Sequence, residues 1–214
     1  MAPCVNEISK ETNQELVREI TKFLRSGHDE VKQQITDKMM QASEELAVMN
    51  GFTSILLPKF DVKDALKTIH KQKPTLFPGA PTMYRAMLHE PSRENYDLST
   101  IKACISGAAA LPLDTQETFE NVTGGKLVEG YGLTESAPVA TANLIWGKRI
   151  HGSIGLPWPD TEVAIVKPEG EQAEVKEIGE VAIRGPQVMK GYWNRPEETE
   201  KTFLGDWLLT GDMN

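Results

Sequence analysis

The stretch Ile101-Lys102-Ala103-Cys104-Ile105-Ser106-Gly107-Ala108-Ala109-Ala110-Leu111-Pro112 leads into a polar run at helical spacing, residues 113–121. Lys126-Leu127-Val128-Glu129-Gly130-Tyr131-Gly132 follows. The apolar runs at 101–105 and 126–129 read as strands, and the segment between them reads as a helix. Strand, helix and strand in this order predict a βαβ unit with its two strands parallel in one sheet. Both strands close on glycine, at Gly107 and at Gly130 and Gly132. Ligands of such sheets sit beyond the carboxyl ends of the strands.

Working outward, Thr53-Ser54-Ile55-Leu56-Leu57 reads as a strand closed by Pro58, and Thr75-Leu76-Phe77 as another. Residues 62–72 predict a helix capped by Asp61. A second helix over 82–89 follows the turn Pro78-Gly79-Ala80-Pro81. This alternation predicts a partial parallel βα sheet over residues 49–145. Beyond it, Glu162-Val163-Ala164-Ile165-Val166 and Gly179-Glu180-Val181-Ala182-Ile183-Arg184-Gly185 flank an acidic, Gly-containing loop. Their pattern predicts antiparallel, barrel-like β structure over 146–214. Before the sheet, residues 8–48 have no Pro and one Gly. Leu16, Ile20, Phe23 and Leu24, then Val31, Ile35 and Met39, recur at helical spacing around Ser26-Gly27-His28-Asp29. A helical hairpin over 1–48 is expected. Its apolar stripes read as a packing face, with a membrane surface or a partner helix, including a second copy of the chain, as the alternative. The fold class is α/β: a partial parallel βα sheet domain plus a β-rich subdomain, preceded by the hairpin.

Composition narrows the function classes. The 214 residues hold 23 Lys plus Arg against 31 Asp plus Glu, a formal charge of −8. Phosphate contacts need clustered cations, so a nucleic-acid partner is not expected. No run approaches the ~18 apolar residues of a membrane span. The start, Met1-Ala2-Pro3-Cys4-Val5-Asn6-Glu7, lacks the basic flank and apolar centre of a secretory signal. A cytoplasmic setting is the expectation, with peripheral membrane association through the hairpin as its variant. Two cysteines are too few for a disulfide framework, and the four histidines show no i, i+4 pairing for a metal.

Three segments could carry chemistry. In Glu129-Gly130-Tyr131-Gly132-Leu133-Thr134-Glu135 the glycines let the backbone turn tightly and approach a ligand, and an aromatic face between them can stack on a planar base. A hydroxyl and a carboxylate further on suit a phosphate oxygen and Mg²⁺. On spacing alone, a Gly-X-Gly after a strand is more often a turn than a nucleotide site. Thr210-Gly211-Asp212 follows Asp206-Trp207-Leu208-Leu209. An aspartate placed after a strand can accept both hydroxyls of a ribose, although the tripeptide taken alone reads as a polar turn. The small residues at 106–112 admit a flat ligand, or only tight helix packing. No Gly-X-X-X-X-Gly-Lys-Ser/Thr loop occurs, which disfavours a kinase of that type.

Taken together, these segments resemble the AMP-forming acyl-CoA synthetases of the adenylate-forming superfamily. The likeness runs from Glu129-Gly130-Tyr131-Gly132-Leu133-Thr134-Glu135-Ser136-Ala137-Pro138-Val139 through His151-Gly152-Ser153-Ile154-Gly155-Leu156-Pro157. It continues in Gly185-Pro186-Gln187-Val188-Met189-Lys190-Gly191-Tyr192-Trp193-Asn194-Arg195-Pro196-Glu197-Glu198-Thr199 and ends on Trp207-Leu208-Leu209-Thr210-Gly211-Asp212. Upstream, Lys73-Pro74-Thr75-Leu76-Phe77-Pro78-Gly79-Ala80-Pro81-Thr82-Met83-Tyr84 and residues 106–112 fit the same family. Within it, the bacterial long-chain fatty acid–CoA ligases are most alike.

The resemblance implies two steps: ATP and a fatty acid, or another carboxylic acid, give an acyl-adenylate, and CoA as co-substrate then displaces AMP. It implies that Tyr131 stacks on adenine, Thr134 bonds the phosphate and Glu135 holds Mg²⁺, the latter two as catalytic groups. It further implies that Asp212 binds the ribose hydroxyls, that Gly107, Ala108 and Ala109 line the adenine and acyl pocket, and that Gly132 lies near the acyl carbonyl. Glu129 and Gly130 belong to the same nucleotide-binding string. The family's Gly- and Ser/Thr-rich phosphate loop ending in Pro-Lys-Gly has no counterpart in residues 1–46, nor has its histidine-led aromatic segment. The chain stops at Asn214, before any counterpart of the hinge, the following arginine or the domain with the catalytic lysine. Gly205-Asp206-Trp207 also inverts the family's usual Asp-Gly order. The expectation is therefore the middle portion of a ligase with little or no activity by itself; a non-enzymatic scaffold or docking module is the alternative.

Overall fold

The computed structural model describes Ala47 and residues 50–213. The expected hairpin over 1–48 lies outside the described residues, apart from Ala47, whose carbonyl accepts from Phe52 N at 2.8 Å.

Helix α1 spans Val62–Gln72, with the boundaries its sequence predicts. The Asp61 carboxylate accepts from the N–H groups of Lys63 and Asp64, both at 3.0 Å, and so satisfies two donors that the first turn leaves orphaned. Lys73, at φ 55°, closes the helix with an N–H bond to Ile69 O. Helix α2, Pro81–His89, starts on proline, whose missing N–H costs nothing at a first helical position. Helix α3, Leu113–Thr123, ends on Gly124 at φ 72°. These helices cover one face of two parallel strands, β1 (Ala103–Ser106) and β2 (Lys126–Tyr131), registered with Ala103 opposite Lys126 and Ser106 opposite Glu129. Alternation along the strands sends Cys104 and Leu127 to the helices, and Ala103 and Val128 to the other face with Ile145.

Tyr84 is the centre of the helix-side core. It is fully buried between Phe77 and Phe119, with ring centroids 5.7 and 4.9 Å away in edge-to-face geometry. Its hydroxyl donates to Phe77 O at 3.0 Å and Ile105 O at 3.2 Å, which gives a buried polar group its partners.

Three strand expectations need correction. Residues 53–57 form no strand. Pairing makes a strand, and this segment pairs with no described strand. Residues 75–77 are extended but only bridge β1, through Leu76 to Ala103 and Gly79 to Ser106. The N–H groups that face β1 are those of Phe77, to Ala103 O at 3.2 Å, and Gly79, to Ile105 O at 3.1 Å, while the Phe77 carbonyl is shared with the Tyr84 hydroxyl, so the contact stays at two bridges. Finally, β2 runs on past residue 129. Gly130 and Tyr131 are strand residues that pair antiparallel with β3 (Thr141–Ala142), which pairs in turn with β4 (Leu156–Pro157). Strand β2 is thus parallel to β1 along its start and antiparallel to β3 at its end.

The second sheet has the order β5-β6-β8-β7, where β5 is Glu162–Val166, β6 Glu180–Arg184, β7 Phe203–Leu204 and β8 Trp207–Met213. All its pairings are antiparallel, as the alternating pattern predicts. Helix α4, Pro196–Thr202, precedes β7. One face buries Ala164, Val166 and Ala182 beneath Trp207 and Leu209. The other packs Val181 and Ile183 against Ala140, Tyr131 and Leu133. That second contact sets the end of β8 against the end of β2. No helix among the described residues is long and apolar enough to cross a membrane.

Candidate functional site

The register of β1 and β2 places Gly107, one residue past Ser106, beside Gly130. Both glycine clusters therefore meet at the carboxyl ends of neighbouring parallel strands. Gly107 is buried and donates its N–H to Gly79 O at 3.1 Å. Ala108 takes φ 70°, a left-handed conformation that costs a residue with a Cβ about 1–2 kcal/mol. Ala108 and Ala109 are exposed, and their small side chains leave room above the strand ends. Glu129 is half-buried, and that burial raises its carboxyl above the usual range against an opposing backbone hydrogen bond at Leu111.

After β2 the chain turns through Gly132 into a 3₁₀ turn, Thr134–Ser136. The buried Ser136 hydroxyl accepts from Leu133 N at 3.0 Å and donates to Leu133 O at 3.1 Å, which closes the turn. A Cβ on Gly132 would lie 1.8 Å from Pro138 O, so only glycine fits. This turn exposes Thr134 and leaves Glu135 half-buried. Glu135 is held twice by a distant segment: its backbone O accepts from Met189 N at 2.8 Å, and its Oε1 accepts from the Tyr192 hydroxyl at 2.8 Å. The bond to that carboxylate, with burial second, raises the Tyr192 phenol above its ordinary value.

A matching pair forms at the end of β8. The Tyr131 hydroxyl donates to Asp212 Oδ2 at 2.7 Å. Asp212 N donates to Thr210 Oγ1 at 3.1 Å, and that hydroxyl donates to Val181 O at 2.7 Å. Gly211, at φ 76°, donates to Glu180 Oε1 at 2.7 Å. Burial pushes the Tyr131 phenol up to about 12, and the Asp212 carboxylate acts in the same direction. A phenol raised in the folded state contributes its full stability below the unfolded value of about 10. That stability is lost as pH climbs from there toward about 12. Denaturant melts across this range are expected to show declining stability, and Tyr131→Phe should flatten the decline.

The structure thus joins Tyr131 to Asp212 and brings the Gly107 loop beside Gly130. Thr134 belongs to neither tyrosine–carboxylate pair. Sequence reading missed Tyr192, Ser136 and Glu180 as partners in the site. Tyr192 stood in plain view inside the 185–199 string, yet nothing local marks it as the partner of a carboxylate 57 positions away. Among the described residues there is no group of three or more His, Cys, Asp or Glu side chains able to hold a metal. Glu135 and Thr134 supply hard oxygen donors only. That set suits Mg²⁺ where phosphate oxygens and water complete the coordination.

Residues 39–193 match the family described as AMP-binding enzyme. The chain is 60% identical over 173 residues to the long-chain-fatty-acid–CoA ligase of Bacillus subtilis (strain 168), covering 78% of this chain and 31% of that protein. It is 40% identical over 168 residues to 4-coumarate–CoA ligase 1 of Glycine max, covering 75% and 57% respectively. Its fold superposes on the crystal structure of the anthranilate CoA ligase AuaEII in complex with anthranoyl-AMP with TM-score 0.77 at 29% identity. That match covers 91% of this chain and 40% of the other. The chain spans about a third of the length of the Bacillus subtilis relative.

Proposed function

The chain belongs to the AMP-binding enzyme family, and from that premise we propose that it supplies the adenylate half-site of a long-chain fatty acid–CoA ligase. The supporting observation is the 2.7 Å bond between Tyr131 and Asp212, which brings residues 81 positions apart to one place at the ends of β2 and β8. In this reading Asp212 accepts the ribose hydroxyls and Tyr131 lends its ring face to adenine. Gly107, Ala108, Ala109, Glu129, Gly130 and Gly132 shape the floor beneath the nucleotide and the acyl group. Thr134 bonds the phosphate, and Glu135 would hold Mg²⁺, which when bound neutralises phosphate charge. The fatty carboxylate attacks the α-phosphorus of ATP as the bond to pyrophosphate breaks. The CoA thiol then attacks the acyl carbonyl and AMP leaves. Alignment and charge neutralisation carry such a transfer, with no protein nucleophile required. Residues 1–48 as a helical segment, 49–145 as the sheet part and 146–214 as the β-rich part complete the proposal, with a cytoplasmic setting.

The 214 residues contain no Gly- and Ser/Thr-rich loop ending in Pro-Lys-Gly. This polypeptide on its own is expected to form little or no acyl-CoA from ATP, palmitate and CoA. Binding tests the site separately from turnover. A long-chain acyl-sulfamoyladenosine, a stable mimic of the adenylate, should bind the chain, and Asp212→Ala should weaken binding at least tenfold. Equal binding by the two proteins, or none by either, would refute the half-site.

A further inference from the structure

We propose that Tyr192 is a positioning residue for Glu135 and that it sets the divalent-cation affinity of the site. The inference rests on the reading of Glu135 given above. Free in solution, a glutamate side chain samples many rotamers, and a carboxylate meant for a cation gains from having one oxygen tied to a neutral donor. Tyr192 provides this through its 2.8 Å bond to Oε1, which leaves the second carboxylate oxygen outside the pair. The donor is itself fixed. Tyr192 N donates to Thr199 Oγ1 at 2.9 Å, and that hydroxyl donates to Arg195 O at 2.8 Å. Gly191 sits at φ 150°, where a Cβ would come within 2.6 Å of Thr199 Cγ2, so the backbone packs directly on the middle of α4. Met189 N, three residues earlier, holds the Glu135 backbone at 2.8 Å. One segment therefore grips both the main chain and the side chain of the same glutamate. Its neighbour Trp193 is 88% exposed, against 38% for Tyr192.

Partners that orient a metal ligand typically change metal affinity by about 10–100-fold when removed. The test titrates the AMP-saturated chain with Mn²⁺ and reads free Mn²⁺ by its electron paramagnetic resonance signal. Tyr192→Phe is expected to weaken Mn²⁺ binding about tenfold, and Glu135→Gln to abolish it. A merely structural loss would lower the melting temperature without moving the Mn²⁺ midpoint. Thr199→Val, which leaves both side chains of the pair in place but loosens Tyr192, should weaken binding by a smaller factor. If Glu135→Gln loses Mn²⁺ while Tyr192→Phe binds like the parent, the role of Tyr192 is overturned and Glu135 keeps its own. If the parent binds no Mn²⁺, or Glu135→Gln binds normally, the reading of Glu135 falls and this inference falls with it.

Discussion

Gly132→Ala is expected to destabilise the chain by about 3 kcal/mol or more, the upper end of the cost of overpacking. The added methyl would stand 1.8 Å from Pro138 O, 2.8 Å from its carbonyl carbon and 2.9 Å from Val139 Cα. All three are backbone atoms, so no side chain can swing aside. Relief requires that the Thr134–Ser136 turn separate from the start of β3, and Glu135 would move with it. For a chain of this size the loss corresponds to a fall in melting temperature of about 6–12 °C. Gly124→Ala is the matched control. Gly124 has φ 72° with nothing within 4 Å of its added Cβ, so only backbone strain of about 1 kcal/mol applies. A Gly132→Ala variant no less stable than Gly124→Ala would show that the turn is not packed as described.

Tyr84→Ala carries the other large effect, about 3–5 kcal/mol as for a buried aromatic truncated to a methyl. The loss has two parts. Removing the ring opens a cavity between Phe77 and Phe119, and removing the hydroxyl takes a donor from the carbonyls of Phe77 and Ile105. Tyr84→Phe separates them, since it keeps the packing and should cost only about 1 kcal/mol. A typical domain has about 5–15 kcal/mol in hand, so the alanine variant removes a third or more of a modest total. Chemical denaturation followed by circular dichroism distinguishes the two. Equal stability of the Phe and Ala variants would contradict the packing argument.

Local signals carried much of the fold. Helix α1 was legible to the residue because Asp61 and the apolar spacing of Ala65, Leu66 and Ile69 are properties of neighbouring positions. The antiparallel pattern of β5 and β6 was equally plain, since alternation shows wherever one face is buried. What failed depended on partners far along the chain. Residues 53–57 have strand composition but no described neighbour to pair with. Residues 75–77 make only an isolated bridge to β1, through Leu76. Gly130 and Tyr131 read as a turn, yet β3, arriving ten residues later, draws them into a strand.

The candidate site divides in the same way. The residues that bear polar or aromatic groups, Tyr131, Thr134, Glu135 and Asp212, stood out by type and by resemblance. Their pairings did not. That Tyr131 meets Asp212, and that Tyr192 meets Glu135, follows from β8 lying between β6 and β7 and from the loop after β6 folding over the turn. No periodicity encodes such contacts.

The most direct measurement is a thermal melt of the purified chain with and without millimolar AMP, repeated for Tyr131→Ala and Asp212→Ala. A ligand that binds only the folded state at a hundredfold excess over Kd adds about 2.7 kcal/mol. That is a rise of about 5–10 °C for this length. The parent is expected to show that rise and neither variant to show any. A cooperative melt that AMP leaves unmoved would contradict the adenylate half-site.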